Sequence, residues 1–275
     1  MSKADQIFKA SCRKILNEGC WQGENVRAVW PDGEPARAKK IFAVVNRYNL
    51  QEEFPILTIR KVPLLNCIDE LLWIWQKKSN MVSELKSGIW DAWTLSDGSI
   101  GKAYGYQLAK KTQYSDGNYD QVDRLLKDLK ENPDSRRLIC NMYNVDDLPE
   151  MALYPCAYSM TFHVDDGKLS GLLNQRSQDM LVANGWNVTQ YAILIHMLAR
   201  ASDLEPGELV HVIADAHIYD RHIPLIEELL EREEYPAPQL LIDPQVKDFY
   251  AFKPEHFKLL NYQYGPAIGH IPVAI

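Results

Sequence analysis

The stretch from Val188 to Ala201 most constrains how this chain can fold, because it is apolar around almost its whole helical circumference. A helix with one polar side can lie at a surface, whereas a helix without one has to be covered by other elements. The sequence therefore predicts a buried central helix at this position. Apolar residues at helical spacing predict further helices at Asp5 to Asn17, Pro63 to Trp75, Gln121 to Glu131 and about Pro224 to Glu233.

Strand-forming runs lie between these helices, without the regular strand–helix alternation of a parallel α/β sheet. We therefore expect an α+β fold in which helices cover a mixed, twisted β-sheet. No segment has the composition of a linker, so we expect one domain over residues 1–275, with a small subregion at about 80–120. The predicted strands are Leu138 to Tyr143, Ala157 to Val164, Lys168 to Gln175 and Glu208 to Ile213.

Two of these strands form a predicted hairpin around the sequence Asp165-Asp166-Gly167. We expect these three residues to form the loop, which would set Cys156 opposite Arg176, whereas a two-residue loop would set Ser177 opposite Cys156. In either register, a cysteine and the Arg176-Ser177 pair meet at the open end of one hairpin.

Cys156 is the candidate nucleophile among five cysteines, whose positions form no metal-binding spacing. Most buried cysteines are inert small hydrophobes. Cys156 differs because Pro155 precedes it, as at a strand entrance, and because Arg176 is predicted beside it. A nearby cation favours the thiolate and lowers the pKa of a cysteine, although these residues alone do not identify a reaction.

Charge and hydropathy exclude some classes of partner. The formal net charge is −7, which disfavours nonspecific nucleic-acid binding, because that affinity requires a basic surface. The longest apolar runs are too short to span a bilayer. An odd cysteine count without a signal peptide predicts reduced thiols and a cytoplasmic location. Phosphate would therefore be bound by a few arginines in one cleft.

The segments Met151–Cys156 and Gln175–Asp179 lie at the two ends of the predicted hairpin. They resemble the nucleophile motif and the phosphate-binding segment of the thymidylate synthase family. Each match alone is weak, but together they cover nearly the whole chain and form a specific signal. The other matching segments are Asp69–Trp73, Ile89–Trp93, Pro133–Arg137, Asp215–Tyr219 and Pro272–Ile275.

The resemblance implies an enzyme that methylates dUMP to dTMP with the cosubstrate 5,10-methylenetetrahydrofolate and without a metal. It also implies a homodimer in which one face of the sheet forms the subunit interface. Cys156 would add to C6 of uracil, which activates C5 as a nucleophile. Asn187 would read O4 and N3–H of the base with the two ends of its amide.

The resemblance also assigns the remaining residues of the dUMP site. Arginine suits phosphate because its planar fork donates two charge-assisted hydrogen bonds. The phosphate would be held by Arg27, Arg176, Ser177 and, across the subunit boundary, Arg136 and Arg137. The ribose 3′-hydroxyl would be held by His217 and Tyr219, and the dUMP site would be completed by Gln178, Asp179 and Tyr104.

Catalysis would involve Glu70, Asp179 and Arg176 beside the nucleophile. Partial burial would raise the pKa of Glu70 and suit it to proton transfer through water. The folate would contact Trp90, Trp93, Asp179, Trp186 and Ala274, and the tail Pro272–Ile275 would close over it.

Without the resemblance, the same residues have other interpretations. Arg136-Arg137 could be solvated surface arginines, Asn187 could cap the following helix, and Glu70 could face solvent. Trp90 and Trp93 could be core residues, His217 and Tyr219 a buried polar pair, and the tail could simply end a strand. Competing functions are a dUMP hydroxymethylase on the same scaffold, a non-catalytic nucleotide-binding homologue, and an unrelated cysteine hydrolase.

The chain departs from the family pattern just before the base-reading asparagine. Family members commonly have Leu-Gly-Leu-Pro-Phe-Asn where this chain has Val182-Ala183-Asn184-Gly185-Trp186-Asn187. Trp186 could replace an aromatic wall, and we expect a turn at Asn184-Gly185. Other departures, none of which removes a bond-making group, are Arg60, Pro63, Ala157 and Ala214.

Overall fold

The computed structural model describes every residue from Met1 to Ile275. The α-helices are α1 (Lys3–Glu18), α2 (Leu64–Trp75), α3 (Gly105–Ala109), α4 (Gln121–Glu131), α5 (Gly185–Ala201) and α6 (Ile223–Glu231). The strands are β1 (Cys20–Trp21), β2 (Ala38–Asn49), β3 (Thr112–Tyr114), β4 (Gly117–Tyr119), β5 (Ile139–Asn141), β6 (Ala157–Asp165), β7 (Lys168–Gln175), β8 (Gln178–Asp179), β9 (Glu205–Tyr219), β10 (Gln239–Ile242) and β11 (Phe257–Leu260). All five predicted helices are present, so those predictions are confirmed.

The main sheet has seven strands in the order β1-β2-β9-β7-β6-β5, with β8 also paired to β9. Its neighbours are antiparallel except at β7–β9 and β8–β9, which are parallel. Parallel neighbours need a long crossover connection, and here α5 supplies it. The prediction of a mixed sheet covered by helices is confirmed.

Helix α5 is buried around its circumference, as its apolar sequence predicts: 13 of its 17 residues are buried. It packs against strands β7 and β9 on one side and against α2 on another. Because α2 carries Glu70 and α5 carries Asn187, this packing brings two polar candidates together above the sheet.

Strand β2 was not predicted, although it pairs with β9 along its full length. Its alternation is interrupted at Ala43, whose φ of 60° puts the backbone in the left-handed region. Beyond Ala43, one of the inward positions is Asn46, which is buried but polar. An interrupted period with a polar interior residue lacks the alternating pattern of a half-buried strand.

The predicted three-residue loop of the β6–β7 hairpin is wrong. Asp165 pairs with Lys168, which leaves a two-residue turn with φ of 48° at Asp166 and 70° at Gly167. Positive φ at both central residues is the geometry of a type I′ turn, which matches the twist of the flanking strands.

A β-bulge between Ala157 and Ser159 then shifts the register of this hairpin by one residue. Arg176 consequently lies opposite Cys156, and its backbone N–H donates to the Cys156 carbonyl at 2.9 Å. The predicted neighbour of Cys156 is therefore present, although the loop that was expected to place it there is not.

The expected turn at Asn184-Gly185 is also wrong. Residues Met180–Asn184 form a π-helical turn that continues directly into α5, and Gly185 has helical dihedral angles. A Cβ at this position would lie 2.7 Å from a methyl carbon of Leu57, so a larger residue would displace the Leu57 side chain. No helix of the chain is long and apolar enough to span a membrane.

Candidate active site

One cavity of about 510 Å³ opens beside the carboxyl ends of β7 and β9. It gathers most of the residues singled out from the sequence: Arg27, Glu70, Trp90, Trp93, Tyr104, Cys156, Arg176, Ser177, Asp179, Trp186, Asn187, His217, Tyr219 and Ala274. Three of the candidates do not line it. Gln178 is buried elsewhere, and Arg136 and Arg137 are exposed at the surface of the chain.

Cys156 is held at the cavity wall by hydrogen bonds at both its backbone N–H and its backbone carbonyl group, the latter to Arg176. Its N–H donates to the Tyr104 hydroxyl at 3.0 Å. Tyr104 itself has a φ of 45°, a conformation that a residue with a Cβ rarely adopts. Strain of this kind persists only where the surroundings impose it and is common at functional sites.

Arg176 is fixed beside the sulfur. Its guanidinium donates to the carbonyl oxygens of Pro155 at 3.1 Å and Tyr154 at 2.7 Å, and one nitrogen lies 3.7 Å from Cys156 Sγ. Two backbone acceptors thus orient the guanidinium, while its charge faces the thiol and the cavity.

The net effect on the thiol differs from the expectation. Burial raises the pKa of Cys156, and the charges of Arg176 and Arg27 oppose this only in part. The two arginines lower the pKa as predicted, but desolvation is the larger effect. Cys156 is therefore mainly a thiol at neutral pH, with two cations in place to stabilise the thiolate.

Glu70 is buried, so the interpretation of a solvent-facing carboxylate is wrong. Its Oε1 accepts from Trp90 Nε1 at 2.6 Å, and its Oε2 accepts from Trp186 Nε1 at 2.6 Å and Gln190 Nε2 at 2.5 Å. Burial raises the pKa of Glu70, and these three donors limit the rise. A carboxyl group with a raised pKa at a cavity wall is suited to proton transfer near neutral pH.

Asp179 begins the π-helical turn that leads into α5. Its Oδ1 accepts from the backbone N–H groups of Leu181 and Val182, at 2.9 and 3.1 Å. His222 Nδ1 lies 3.5 Å from Oδ2. Burial acts to raise the pKa of Asp179, but His222 and the backbone donors outweigh it, so the net shift is downward. Asp179 is therefore a carboxylate with one oxygen committed to the fold.

His217 and Tyr219 project from the end of β9, as predicted. His217 Nδ1 lies 3.0 Å from Asp215 Oδ1, and the rings of His217 and Tyr219 are 5.0 Å apart, edge to face. Asp215 also forms an ion pair with Lys40 at 3.0 Å. The Asp215 carboxylate thereby fixes the ring of His217 with Nε2 free to face the cavity.

Asn187 lies in the first turn of α5 but does not cap the helix, so that interpretation is wrong. Its Oδ1 accepts from Gln175 Nε2 at 3.1 Å, and its Nδ2 donates to Gln190 Oε1 at 3.4 Å. The sequence analysis assigned no role to Gln190, and it named Gln175 only as the first residue of a matching segment. Both are buried, and a buried glutamine has no local signature that separates it from a core residue.

The C-terminal tail forms one side of the cavity mouth. Ile275 exchanges both backbone hydrogen bonds with Val29, at 2.9 and 3.0 Å, and His222 Nε2 lies 2.8 Å from the Pro272 carbonyl oxygen. Val273 and Ala274 line the cavity between these two attachments. No group of three or more His, Cys, Asp or Glu side chains in the chain is arranged to hold a metal ion.

Comparison with known proteins gives a consistent result. The family model described as thymidylate synthase matches residues 6–275. The chain is 45% identical to the thymidylate synthase of Bacillus phage phi3T over 96% of this chain and 97% of that one. It is 46% identical to the thymidylate synthase of Bacillus mojavensis over 98% of both chains. Its structure is similar to the thermostable thymidylate synthase A from Bacillus subtilis, with a TM-score of 0.94, 42% identity and 99% coverage of both chains.

Proposed function

The chain belongs to the thymidylate synthase family, and from this we propose that it converts dUMP to dTMP, with 5,10-methylenetetrahydrofolate as the donor of the one-carbon unit and the hydride. The observation that carries the proposal is the cavity itself, where Cys156, Arg176, Glu70 and Asn187 line one space. A nucleophile, a cation, a buried carboxyl group and an amide are what covalent activation of a pyrimidine nucleotide requires.

We propose that the nucleotide lies with its phosphate at Arg27, Arg176 and Ser177 and its base at Asn187. The two arginines and the serine hydroxyl offer donors at one end of the cavity. His217 and Tyr219 lie at the end of β9 on the wall of the same cavity, and we assign them to the ribose.

The chemistry of the protein residues follows from this placement. Cys156 Sγ bonds to C6 of the ring, and the negative charge develops on C5 and O4. Asn187 donates to O4 and thus stabilises that charge. Both carboxylate oxygens of Glu70 already accept hydrogen bonds from side chains of the protein, so we assign it proton transfer through water.

The residues that remain fit a flat, partly apolar cosubstrate. Trp90 and Trp93 pack edge to face at 5.8 Å, and Trp90 is edge to face with Tyr104 at 5.3 Å, which gives one aromatic wall. Ile271, Val273 and Ala274 add apolar lining from the C-terminal segment. Methylenetetrahydrofolate supplies the one-carbon unit and the reducing equivalents when bound there, and the protein residues orient it and exclude water.

The test is the product formed from dUMP and methylenetetrahydrofolate. Methylation converts the folate to dihydrofolate, whereas hydroxymethylation releases tetrahydrofolate. We expect dTMP and dihydrofolate in equal amounts. Turnover of dUMP without dihydrofolate would replace the proposal with hydroxymethylation, and absence of any turnover would favour a binding protein without catalysis.

We further propose that the protein acts as a homodimer and that the open sheet face is the interface. Helices α1 and α5 cover one face of the main sheet. On each strand, every second side chain points to the opposite face, which no helix of the chain covers. Val45 is 56% exposed there, beside the half-buried Val212, its partner on β9. An apolar, strand-lined face of this kind is more often an interface than free surface.

A shared active site follows if Arg136 and Arg137 reach the partner's cavity, since both are exposed and lie outside their own. We expect Cys156→Ala and Arg136→Ala each to be nearly inactive alone. Mixing the two should restore up to about a quarter of wild-type activity, because random exchange makes half of the dimers mixed and each holds one intact site. No recovery after verified subunit exchange, or a fully active monomer in sedimentation, would exclude the shared site.

Deletion of Ile275 is expected to reduce turnover while leaving dUMP binding nearly unchanged. The deletion removes two backbone hydrogen bonds to Val29, together worth about 1–3 kcal/mol, and so loosens the apolar wall. Turnover should fall roughly 10-fold to 100-fold. Exposed Met1 serves as the control for removal of a terminal residue. Equal losses in turnover and in dUMP affinity would show that the tail is structural only.

A further inference from the structure

A chain of hydrogen bonds runs from a buried histidine in the sheet to the catalytic carboxyl group. His211 Nε2 lies 2.6 Å from Gln175 Oε1, and Gln175 Nε2 donates to Asn187 Oδ1 at 3.1 Å. From Asn187 the chain continues through Gln190 to Glu70. His211 is fully buried, does not line the cavity, and has no part in the chemistry proposed above.

The direction of donation at the histidine end is set by what surrounds the ring. His211 Nδ1 is buried without a partner, and burial lowers the pKa of His211 to about 3, so the ring is neutral. A buried N–H without an acceptor is more unfavourable than an unpaired ring nitrogen without a proton. The proton of the ring is therefore on Nε2, which donates to Gln175.

The other end of the chain sets the same direction. Gln190 Nε2 donates to Glu70 Oε2 and, at 3.2 Å, to the carbonyl oxygen of Cys67. A carbonyl oxygen is an acceptor only, so the nitrogen of the Gln190 amide has to face it. Gln190 Oε1 is thereby turned toward Asn187 and takes a hydrogen from its Nδ2.

Asn187 is thus held between an amide nitrogen on one side and an amide oxygen on the other. The orientation of the amide has to be fixed by such neighbours, because an asparagine amide can rotate by 180° and exchange its oxygen and nitrogen with little change in shape. In one orientation its nitrogen faces O4 and its oxygen faces N3–H, which matches uracil. In the other orientation the same side chain matches the amino group and the bare N3 of cytosine. Asparagine alone therefore does not select uracil.

We propose that His211 is a positioning residue that selects uracil over cytosine by fixing, through Gln175, the orientation of the Asn187 amide. The proposal rests on dUMP as the substrate. It explains why a fully buried, neutral histidine lies on β9. His211 pairs with Leu173 of β7, and Leu173 and Gln175 point to the same face of that strand. A residue there can direct the base reader without touching the ligand.

The test compares the dissociation constants of dUMP and dCMP by calorimetry in wild-type protein and variants. His211→Leu removes the donor that holds Asn187 from one side through Gln175, while Gln190 still holds it from the other. The preference for dUMP should therefore fall about tenfold, mainly through tighter dCMP binding. His211→Gln keeps an N–H at the same reach and should retain most of the preference. His196→Leu is the control, because His196 likewise has one buried ring nitrogen without a partner but lies outside the site. This variant should leave the preference for dUMP over dCMP unchanged.

An unchanged preference in folded His211→Leu overturns the role of His211 while leaving the proposed function intact. Failure of wild-type protein to bind dUMP overturns both. If His211→Leu does not fold, the ring nitrogen shifts of wild-type His211 decide the matter by nuclear magnetic resonance. We expect a neutral ring protonated at Nε2 at neutral pH, because burial lowers the pKa of His211 to about 3. A ring protonated at Nδ1 would refute the proposal.

Discussion

Replacement of Cys156 by serine is expected to reduce turnover by at least about 10³-fold while dUMP remains bound. Sulfur is the atom that must bond to the ring, and its protonated form is not nucleophilic. Burial already raises the pKa of the Cys156 thiol, so the enzyme depends on Arg176 and Arg27 to stabilise the thiolate. A serine hydroxyl ionises far less readily, and two cations do not make up that difference.

The measurement is steady-state turnover together with equilibrium binding of dUMP. Cys20→Ser is the matched control, since Cys20 is exposed and remote from the cavity and should behave as wild type. A covalent protein–nucleotide adduct should be trapped by a 5-substituted uracil nucleotide in wild type and be absent in Cys156→Ser. Near-normal turnover in the variant would remove Cys156 from the mechanism.

Replacement of Glu70 by glutamine is expected to lower turnover by about 10²–10⁴-fold, the usual contribution of a positioned acid or base. The substitution also mismatches the hydrogen bonds. Each carboxylate oxygen accepts a hydrogen bond from an indole N–H, Oε1 from Trp90 and Oε2 from Trp186. An indole N–H can only donate. An amide in either orientation points its own donors at one of these partners.

The pH dependence has a definite sign. Burial raises the pKa of Glu70, so activity that requires the carboxylate should be lost, as pH falls, at a higher pH than for an ordinary glutamate. Trp186→Phe removes one donor and should move this loss to still higher pH, whereas Trp93→Phe, which removes an indole not bonded to Glu70, should not. An acid limb at the same pH in Trp186→Phe and wild type would assign that limb to another group.

The sequence determines the centre of the fold more clearly than its edges. The all-round apolar helix and the alternation in the β6–β7 hairpin are local patterns with a single structural solution, and both are present. Strand β2 escaped prediction because the left-handed residue Ala43 breaks its period and because Asn46 fills an inward position. Its inward side chains are explained only by neighbours far along the chain, such as Ser11, which donates to Asn46.

The same limit applies to the site. Residues that carry unusual chemistry, such as Cys156 and Arg176, could be named from motifs. Their supporting partners could not, because Gln175, Gln190 and His211 have the composition of an ordinary interior and acquire a role only through contacts between elements. Arg136 and Arg137 present the opposite case. A sequence motif predicts that they bind phosphate, but in the single chain they are exposed and do not line the cavity.

The bulge in β6 has a consequence for engineering this protein. A two-residue turn with one bulge and a three-residue turn without a bulge both leave Cys156 opposite Arg176. Pairing of the strands, rather than the number of residues between them, therefore aligns the thiol with the guanidinium. A loop graft that adds one residue to the turn, and keeps Asp165 paired with Lys168, should leave Cys156 opposite Arg176.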